Sequence, residues 1–219
     1  MVPPTWDEWI ATLQSLPNDK ACGPSTLHNE FYKHAGLPLK KLTWKLAQMC
    51  FQLERIPEDW KLAHIYPILK PMEWECDITK TRPFTLLDTM RKAVMKVITN
   101  RLSRIMVKHA ILKGNNFAGL PGGLTELPIK LINMILEDAK EENKPVWILL
   151  QDLSKAYDRV DLTILRRAME RIKIPPSCIN FILDFFTHRK NAILTKGGLS
   201  EYYDVKIGID QGEVISSLL

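Results

Sequence analysis

Asp152 comes two residues after Val146-Trp147-Ile148-Leu149-Leu150, a run that is apolar throughout and too short for a helix. Such a run predicts a central strand apolar on both faces. A carboxylate at the end of a buried strand is costly unless it finds a partner. Two kinds of partner are open to Asp152. Backbone amides of the following turn would make it structural. A hard divalent cation such as magnesium, which takes carboxylate oxygens and leaves room for substrate phosphates, would make it a metal ligand. Asp158 and Asp161 follow in the same stretch. Six extended residues span about 20 Å at roughly 3.3 Å each, so Asp158 shares a metal with Asp152 only if the loop doubles back. Asp161 is placed to cap a helix; both read as structural.

A second kind of chemistry lies in the basic residues. Asp88 caps the strongest helical pattern in the chain, with Met90, Val94, Val97, Ile98, Leu102, Ile105 and Met106 as one apolar stripe that runs on to Gly114. Arg91, Lys92, Lys96, Arg101, Arg104 and Lys108 fall outside that stripe, with no acid inside the helix. Such a face is either solvated or a row of phosphate contacts. Gly119-Leu120-Pro121-Gly122-Gly123 lacks the lysine and hydroxyl pair of a phosphate-cradling loop, and reads as a turn that starts the next helix.

The remaining elements must carry these groups. A helix runs from Thr5 to Leu16, Pro17-Asn18-Asp19 breaks it, and Ser25 is placed to cap a second helix. A longer helix spans about Leu39 to Leu53, with Leu42, Leu46, Met49 and Leu53 at helical spacing. Ala63 to Lys70 has the apolar density and proline of an edge strand, and another strand and turn follow near Arg82 to Leu87. Helices are expected from about Thr125 to Glu142, from Asp161 to Ile172 and from Pro175-Pro176 to about Thr187. Strands are expected near Ala192 to Thr195 and Tyr203 to Ile207.

At 219 residues and 46% apolar, the chain can bury one sizeable core or two small lobes. A net charge of +5 and a pI near 9.0 favour an anionic partner such as nucleic acid. Cys22, Cys50, Cys76 and Cys178 have neither paired spacing nor a neighbouring histidine at zinc intervals, and read as reduced thiols. No signal-peptide pattern and no apolar run of about 20 residues occurs, so the expected location is intracellular, cytoplasmic or nuclear, away from membranes.

Leu150-Gln151-Asp152-Leu153-Ser154-Lys155-Ala156-Tyr157-Asp158-Arg159-Val160 resembles the first palm motif of non-LTR retrotransposon reverse transcriptases. Five further blocks resemble that family in the same order. They are Lys20 to Ser25, Ile65 to Lys70, Arg82 to Leu87, Phe117 to Thr125 and Gly208 to Ser216. The resemblance implies an α/β (α+β) right-hand polymerase fold, with fingers over residues 1–143, part of a palm with the first catalytic strand over 144–219, and no thumb. It implies RNA-directed DNA polymerase chemistry by two-metal nucleotidyl transfer, with an RNA template, a DNA primer and deoxynucleoside triphosphates as partners. Asp152 and the Leu153 carbonyl would hold Mg2+. Tyr157 would be the steric gate against a ribose 2′-hydroxyl, with Lys155 and Ala156 beside the nucleotide. Lys70 and Arg82 would hold the triphosphate, and Gln211 and Gly212 would form the pocket wall. Each residue also has a plain alternative: solvated charges for Lys70 and Arg82, a core aromatic for Tyr157, a turn residue for Gln211.

Ser217 stands where the family more often has proline. The family's aromatic-Ala-Asp-Asp hairpin lies downstream of the glutamine-glycine motif, and Leu219 is the last residue. A chain cut there offers at most one partial metal site, so polymerase activity is not expected of it alone. The lost hairpin would also expose apolar surface and favour association. The alternative is a non-catalytic nucleic-acid-binding remnant that uses the basic helix. An unrelated α/β scaffold would require six ordered blocks to be accidental.

Overall fold

The computed structural model describes residues 1–75, 77–111 and 126–219. Cys76, Gly114 and the block from Phe117 to Thr125 with its glycine-rich loop lie outside the described residues. α1 (Trp6–Gln14) begins where Thr5 accepts a bond from the Glu8 N–H, satisfying one of the donors a helix start leaves free. α2 (Asn29–His34) starts after His28 and is not capped by Ser25, whose hydroxyl accepts instead from the Leu27 N–H within the loop.

α3 (Leu37–Leu53) turns a different face inward from the leucine stripe. Thr43, Ala47, Cys50 and Phe51 are buried, whereas Leu42, Met49 and Leu53 are exposed. Phe51 sets this rotation by meeting Phe181 edge to face, with ring centroids 5.1 Å apart.

β1 (Leu62–Leu69) pairs antiparallel with β2 (Thr81–Leu87), Ile65 opposite Thr85, and parallel with β3 (Arg189–Thr195). β1 is therefore an inner strand and not the edge its proline predicts. The pairing with β3 covers only Leu62 to Ile65, so Pro67 lies beyond the stretch where both sides of β1 need donors. β2 takes the edge. β3 also pairs with β4 (Gly198–Leu199) and β5 (Tyr203–Val205), giving the order β2-β1-β3-β4 with β5 on β3.

α4 (Thr89–Lys108) is capped by Asp88, which accepts the Met90 N–H at 2.8 Å. Its stripe of Met90, Val94, Val97, Ile98, Leu102 and Met106 is buried, whereas Ile105 is exposed. α5 (Glu126–Glu141), α6 (Leu162–Arg171) and α7 (Pro176–Asp184) follow. Asp161 accepts the Thr163 and Ile164 N–H groups at 2.7 and 3.0 Å, confirming its role as a cap. One apolar cluster joins Trp9 and Leu13 of α1, the α4 stripe, Phe181 and Ile182 of α7, and Ile209 and Ile215 near the end of the chain.

Residues 146–150 do not form the expected buried strand. They are in no strand or helix, and Trp147 and Leu149 are 93% and 90% exposed. Asp152 is correspondingly exposed. Apolarity selects burial, but a strand also needs a partner for its backbone groups, and the described strands pair among themselves. α5 likewise buries none of its residues, leaving Ile129, Ile132, Met134 and Ile135 exposed. No helix of the described residues is long and apolar enough to cross a membrane.

Candidate functional site

The best-defined constellation surrounds the turn Asp210-Gln211-Gly212-Glu213. The Glu213 N–H donates to the Asp210 carbonyl at 3.2 Å, closing the turn, and the Gln211 carbonyl accepts from Thr85 N–H of β2 at 3.2 Å. Gly212 has φ +126°, and a Cβ placed on it would stand 2.9 Å from the Thr85 carbonyl oxygen. Only glycine permits that backbone and that approach together.

The turn separates two clefts. One, of about 340 Å³, is lined by Phe84, Leu86, Gly212 and Val214 and by Lys20, Lys92 and Lys96. Burial pushes the Lys92 amine below the usual lysine range, against the pull of Glu213 and Asp88. Burial also lowers Lys96, and the nearby Lys33 adds to it. Lys96 donates to the Ser15 carbonyl at 2.7 Å. A cleft with two partly desolvated ammonium groups and the exposed Lys20 suits an anion such as a phosphate.

The second cleft, of about 350 Å³, is lined by Ile65, Thr85, Asp158, Asn191, Tyr203 and Gln211 among others. The Asn191 Oδ1 is buried without a hydrogen-bond partner. Tyr157 is half-buried against the core at the start of a short 3-10 turn, Tyr157–Arg159. Its carbonyl accepts the Ile209 N–H and the Val160 carbonyl accepts the Gly208 N–H, both at 2.9 Å. These two bonds bring the loop after Asp152 to the segment that leads into Gln211. Gly208, with φ +83°, lies so close to this loop that an added Cβ would be 2.9 Å from the Tyr157 and Asp158 carbonyl oxygens.

The expected site residues are therefore only partly gathered. The Tyr157 loop bonds to Gly208 and Ile209, and its Asp158 borders the same cleft as Gln211, whereas Gly212 lines the other. Lys155 and Ala156 are exposed beside that loop, Lys155 with φ +52°. Lys70 donates to the Thr79 carbonyl at 2.8 Å, and Arg82 is exposed on β2 opposite Ile68. Neither cleft is lined by Lys70, Arg82, Asp152 or Leu153. Among the described residues no three His, Cys, Asp or Glu side chains gather where they could hold a metal ion. Asp152 and the Leu153 carbonyl by themselves do not fit a two-ion centre, which needs carboxylates from separate strands.

Sequence reasoning missed the buried charges behind the turn. Arg91, counted with the basic face of its helix, is fully buried. Its Nε donates to Glu213 at 2.8 Å and its Nη2 to Asp210 at 2.7 Å. Arg189 donates to the other Asp210 oxygen at 2.6 Å. Burial pushes the Glu213 carboxyl up, while the guanidinium of Arg91 pulls it down. The signal was present: Arg91 lies three residues before Val94 and seven before Ile98, inside the apolar arc of α4. Arg101 is likewise neutralised, by Glu8 of α1.

Residues 68–219 match the family described as reverse transcriptase (RNA-dependent DNA polymerase). The chain is 27% identical over 218 residues to the probable RNA-directed DNA polymerase from transposon BS of Drosophila melanogaster, covering 97% of this chain and 23% of that protein. It is 26% identical over 216 residues to the RNA-directed DNA polymerase from mobile element jockey of the same fly, covering 98% and 23%. A retrovirus-related Pol polyprotein from type-1 retrotransposable element R2 of Popillia japonica is 22% identical over 165 residues, covering 75% and 22%. The chain thus spans less than a quarter of the length of these relatives.

Proposed function

Because the chain belongs to the reverse transcriptase (RNA-dependent DNA polymerase) family, we propose that it supplies template and nucleotide contacts for the RNA-directed DNA polymerase of a non-LTR retroelement. Residues 1–143 would be the fingers and 144–219 the part of the palm that carries the first motif. The observation that carries this reading is the Gln211–Gly212 turn held on Thr85 between a lysine-lined cleft and the cleft bordered by Asp158 and Asn191.

In this reading Lys20, Lys92 and Lys96 neutralise phosphates of the RNA template or DNA primer. Gln211 and Gly212 form the wall against which a deoxynucleoside triphosphate rests. Lys70 and Arg82 grip its phosphates, a point charge and a planar fork suited to that task. The Tyr157 ring excludes a ribose 2′-hydroxyl, with Lys155 and Ala156 alongside. Reverse transcriptases generally use divalent metal ions, which stabilise the attacking and leaving oxygens. Asp152 and the Leu153 carbonyl would hold one side of such a magnesium site.

The test is anisotropy of a labelled RNA template annealed to a DNA primer, measured against salt. Affinity should fall steeply as salt rises, and the triple variant K20Q/K92Q/K96Q should bind more weakly, with a log–log salt slope shallower by roughly 0.7–0.9 for each phosphate no longer neutralised. Salt-independent binding, or a variant that binds as the parent does, refutes the proposal.

The exposure of Asp152 outside both clefts favours a second reading, a binding module in which Asp152 does no chemistry. It predicts that Asp152→Asn leaves nucleic-acid affinity unchanged and that magnesium does not enhance nucleotide binding. Magnesium-dependent nucleotide binding that D152N abolishes would exclude it.

A further inference from the structure

We infer that Arg91 is a positioning residue that clamps the Gln211–Gly212 turn from behind, an inference that deepens the nucleotide-wall reading above and rests on it. The turn has a carboxylate at each end, Asp210 and Glu213, which are 4% and 5% exposed; Glu213 lines neither cleft, and Asp210 borders the second together with Arg189. One guanidinium holds both: Nη2 to Asp210 and Nε to Glu213. Arg91 is itself fixed from outside the turn. Nη1 donates to the Trp60 carbonyl at 3.1 Å, Nη2 to the Phe185 carbonyl at 3.0 Å, and its plane lies over the Phe185 ring at 5.8 Å.

Arg189 repeats the device from the other side. It holds Asp210 while its remaining donors reach the carbonyls of Phe186, Ile207 and Gly208 at 2.9, 3.1 and 2.6 Å. Ser216 Oγ donates to the Asp210 carbonyl at 2.9 Å, and the second Glu213 oxygen accepts the Val214 N–H at 3.0 Å. Two cations face two anions, so the cluster is neutral, and each of the three guanidinium nitrogens of Arg91 has an acceptor. A flexible lysine in its place reaches one carboxylate but not both, because it lacks the planar fork. The consequence lies on the opposite side of the turn. Gln211 and Gly212 keep one orientation against Thr85, and the wall is formed before any nucleotide arrives.

The experiment is site-resolved amide exchange on the full chain, with Arg91→Lys beside the parent, in the presence and absence of thymidine 5′-triphosphate with magnesium. The Thr85 and Glu213 N–H groups, whose acceptors belong to the turn, should exchange at least tenfold faster in R91K. Val94 and Ile98 in the buried part of α4 serve as the internal reference. Triphosphate binding should weaken severalfold, whereas affinity for the double-stranded part of a primer–template should not change. A merely structural role would move all amides together. Equal acceleration at Val94 and Ile98, or no acceleration at Thr85 and Glu213, overturns the clamp. If R91K does not fold, Glu213→Gln, which keeps shape and an acceptor but removes the charge, should show the same local pattern in smaller degree, and uniform or absent acceleration there overturns the clamp equally. A parent chain in which the triphosphate protects nothing near Gln211 refutes the nucleotide-wall reading, while the ligand-free comparison still decides the clamp.

Discussion

Replacing Gly23 with alanine tests how the loop Lys20 to Ser25 is seated. Gly23 packs on the residues that start α4: a methyl carbon added there would stand 2.5 Å from the Asp88 nitrogen and 2.6 Å from the Leu87 carbonyl oxygen, and closer still to the Leu87 carbonyl carbon. Unbonded heavy atoms settle at about 3.5–4.0 Å, so the two segments must part by roughly 1 Å. Both are backbone, and no side chain can rotate out of the way. The displaced residues include the α4 cap Asp88 and its neighbour Thr89, whose hydroxyl donates to the Leu27 carbonyl at 2.7 Å. Overpacking of this kind costs about 1–3 kcal/mol and a compromised cap about 1 kcal/mol more, giving ~3 kcal/mol in all. In a chain of this size each kcal/mol lowers the melting temperature by about 2–4 °C, so G23A should melt ~6–12 °C below the parent. Circular dichroism melts, checked by urea unfolding, read this directly. Gly36→Ala is the control, because its methyl would meet only Pro38 Cδ at 3.7 Å, and it should change stability by no more than about 0.5 kcal/mol. A G23A chain that melts together with G36A would refute the argument that the loop is seated by backbone contact.

Gly212→Ala combines a positive φ with a 2.9 Å approach to Thr85, and should cost about 1–3 kcal/mol from strain alone and accelerate exchange of the Thr85 amide. Leu149→Ser should leave urea stability within about 0.5 kcal/mol of the parent, whereas Leu13→Ala in the core should cost about 2–5 kcal/mol; Trp147 emission should be that of a solvated indole and should be strongly quenched by iodide. The Arg101 guanidinium bonded to Glu8 is the main reason that its carboxyl lies below the ordinary range. The stability Glu8 contributes is therefore complete above its unfolded value of about 4 and is lost as pH falls through the lower folded value. Melting temperature should fall less steeply in that acid window for Glu8→Gln, and an identical slope would refute the linkage.

Local chemistry was legible in the sequence at most helix starts. Asp88 and Asp161 cap the helices that follow them, Thr5 and Pro176 stand where helices were expected to open, and Ser25, placed as a cap, instead holds its own loop. Burial was harder to read because it depends on distant partners. Leu42 and Met49 look like core positions until Phe51 finds Phe181, and Pro67 looks like an edge marker until β3 arrives from more than a hundred residues away. The run at 146–150 shows the limit most clearly: its composition specifies what it would do against a neighbouring strand, and no described strand accepts it. Of the expected site, the pair Gln211–Gly212 and the Tyr157 loop were legible as motifs, and the structure ties that loop to Gly208 and Ile209, just before the pair. The charges that fix them were hidden, since Arg91 reads like any surface cation until Asp210 and Glu213 are folded against it.

That hidden pairing sorts the charge of α4 by position. Arg91 and Arg101 spend their charge inside the molecule, on Asp210 with Glu213 and on Glu8. Lys92 and Lys96, on the same helix, face the cleft beside Gly212 together with Lys20. A basic excess spread evenly over a surface attracts anions weakly and everywhere, whereas ammonium groups in one partly dry cleft concentrate the field where low-dielectric walls strengthen it. Arg91 and Arg189 offset the two acids next to the turn, which leaves the pull of Glu213 on Lys92 smaller than the opposing effect of burial. The same arrangement that orders the Gln211–Gly212 turn therefore leaves its lysine side open to a phosphate backbone, and both properties follow from which α4 cations are turned inward.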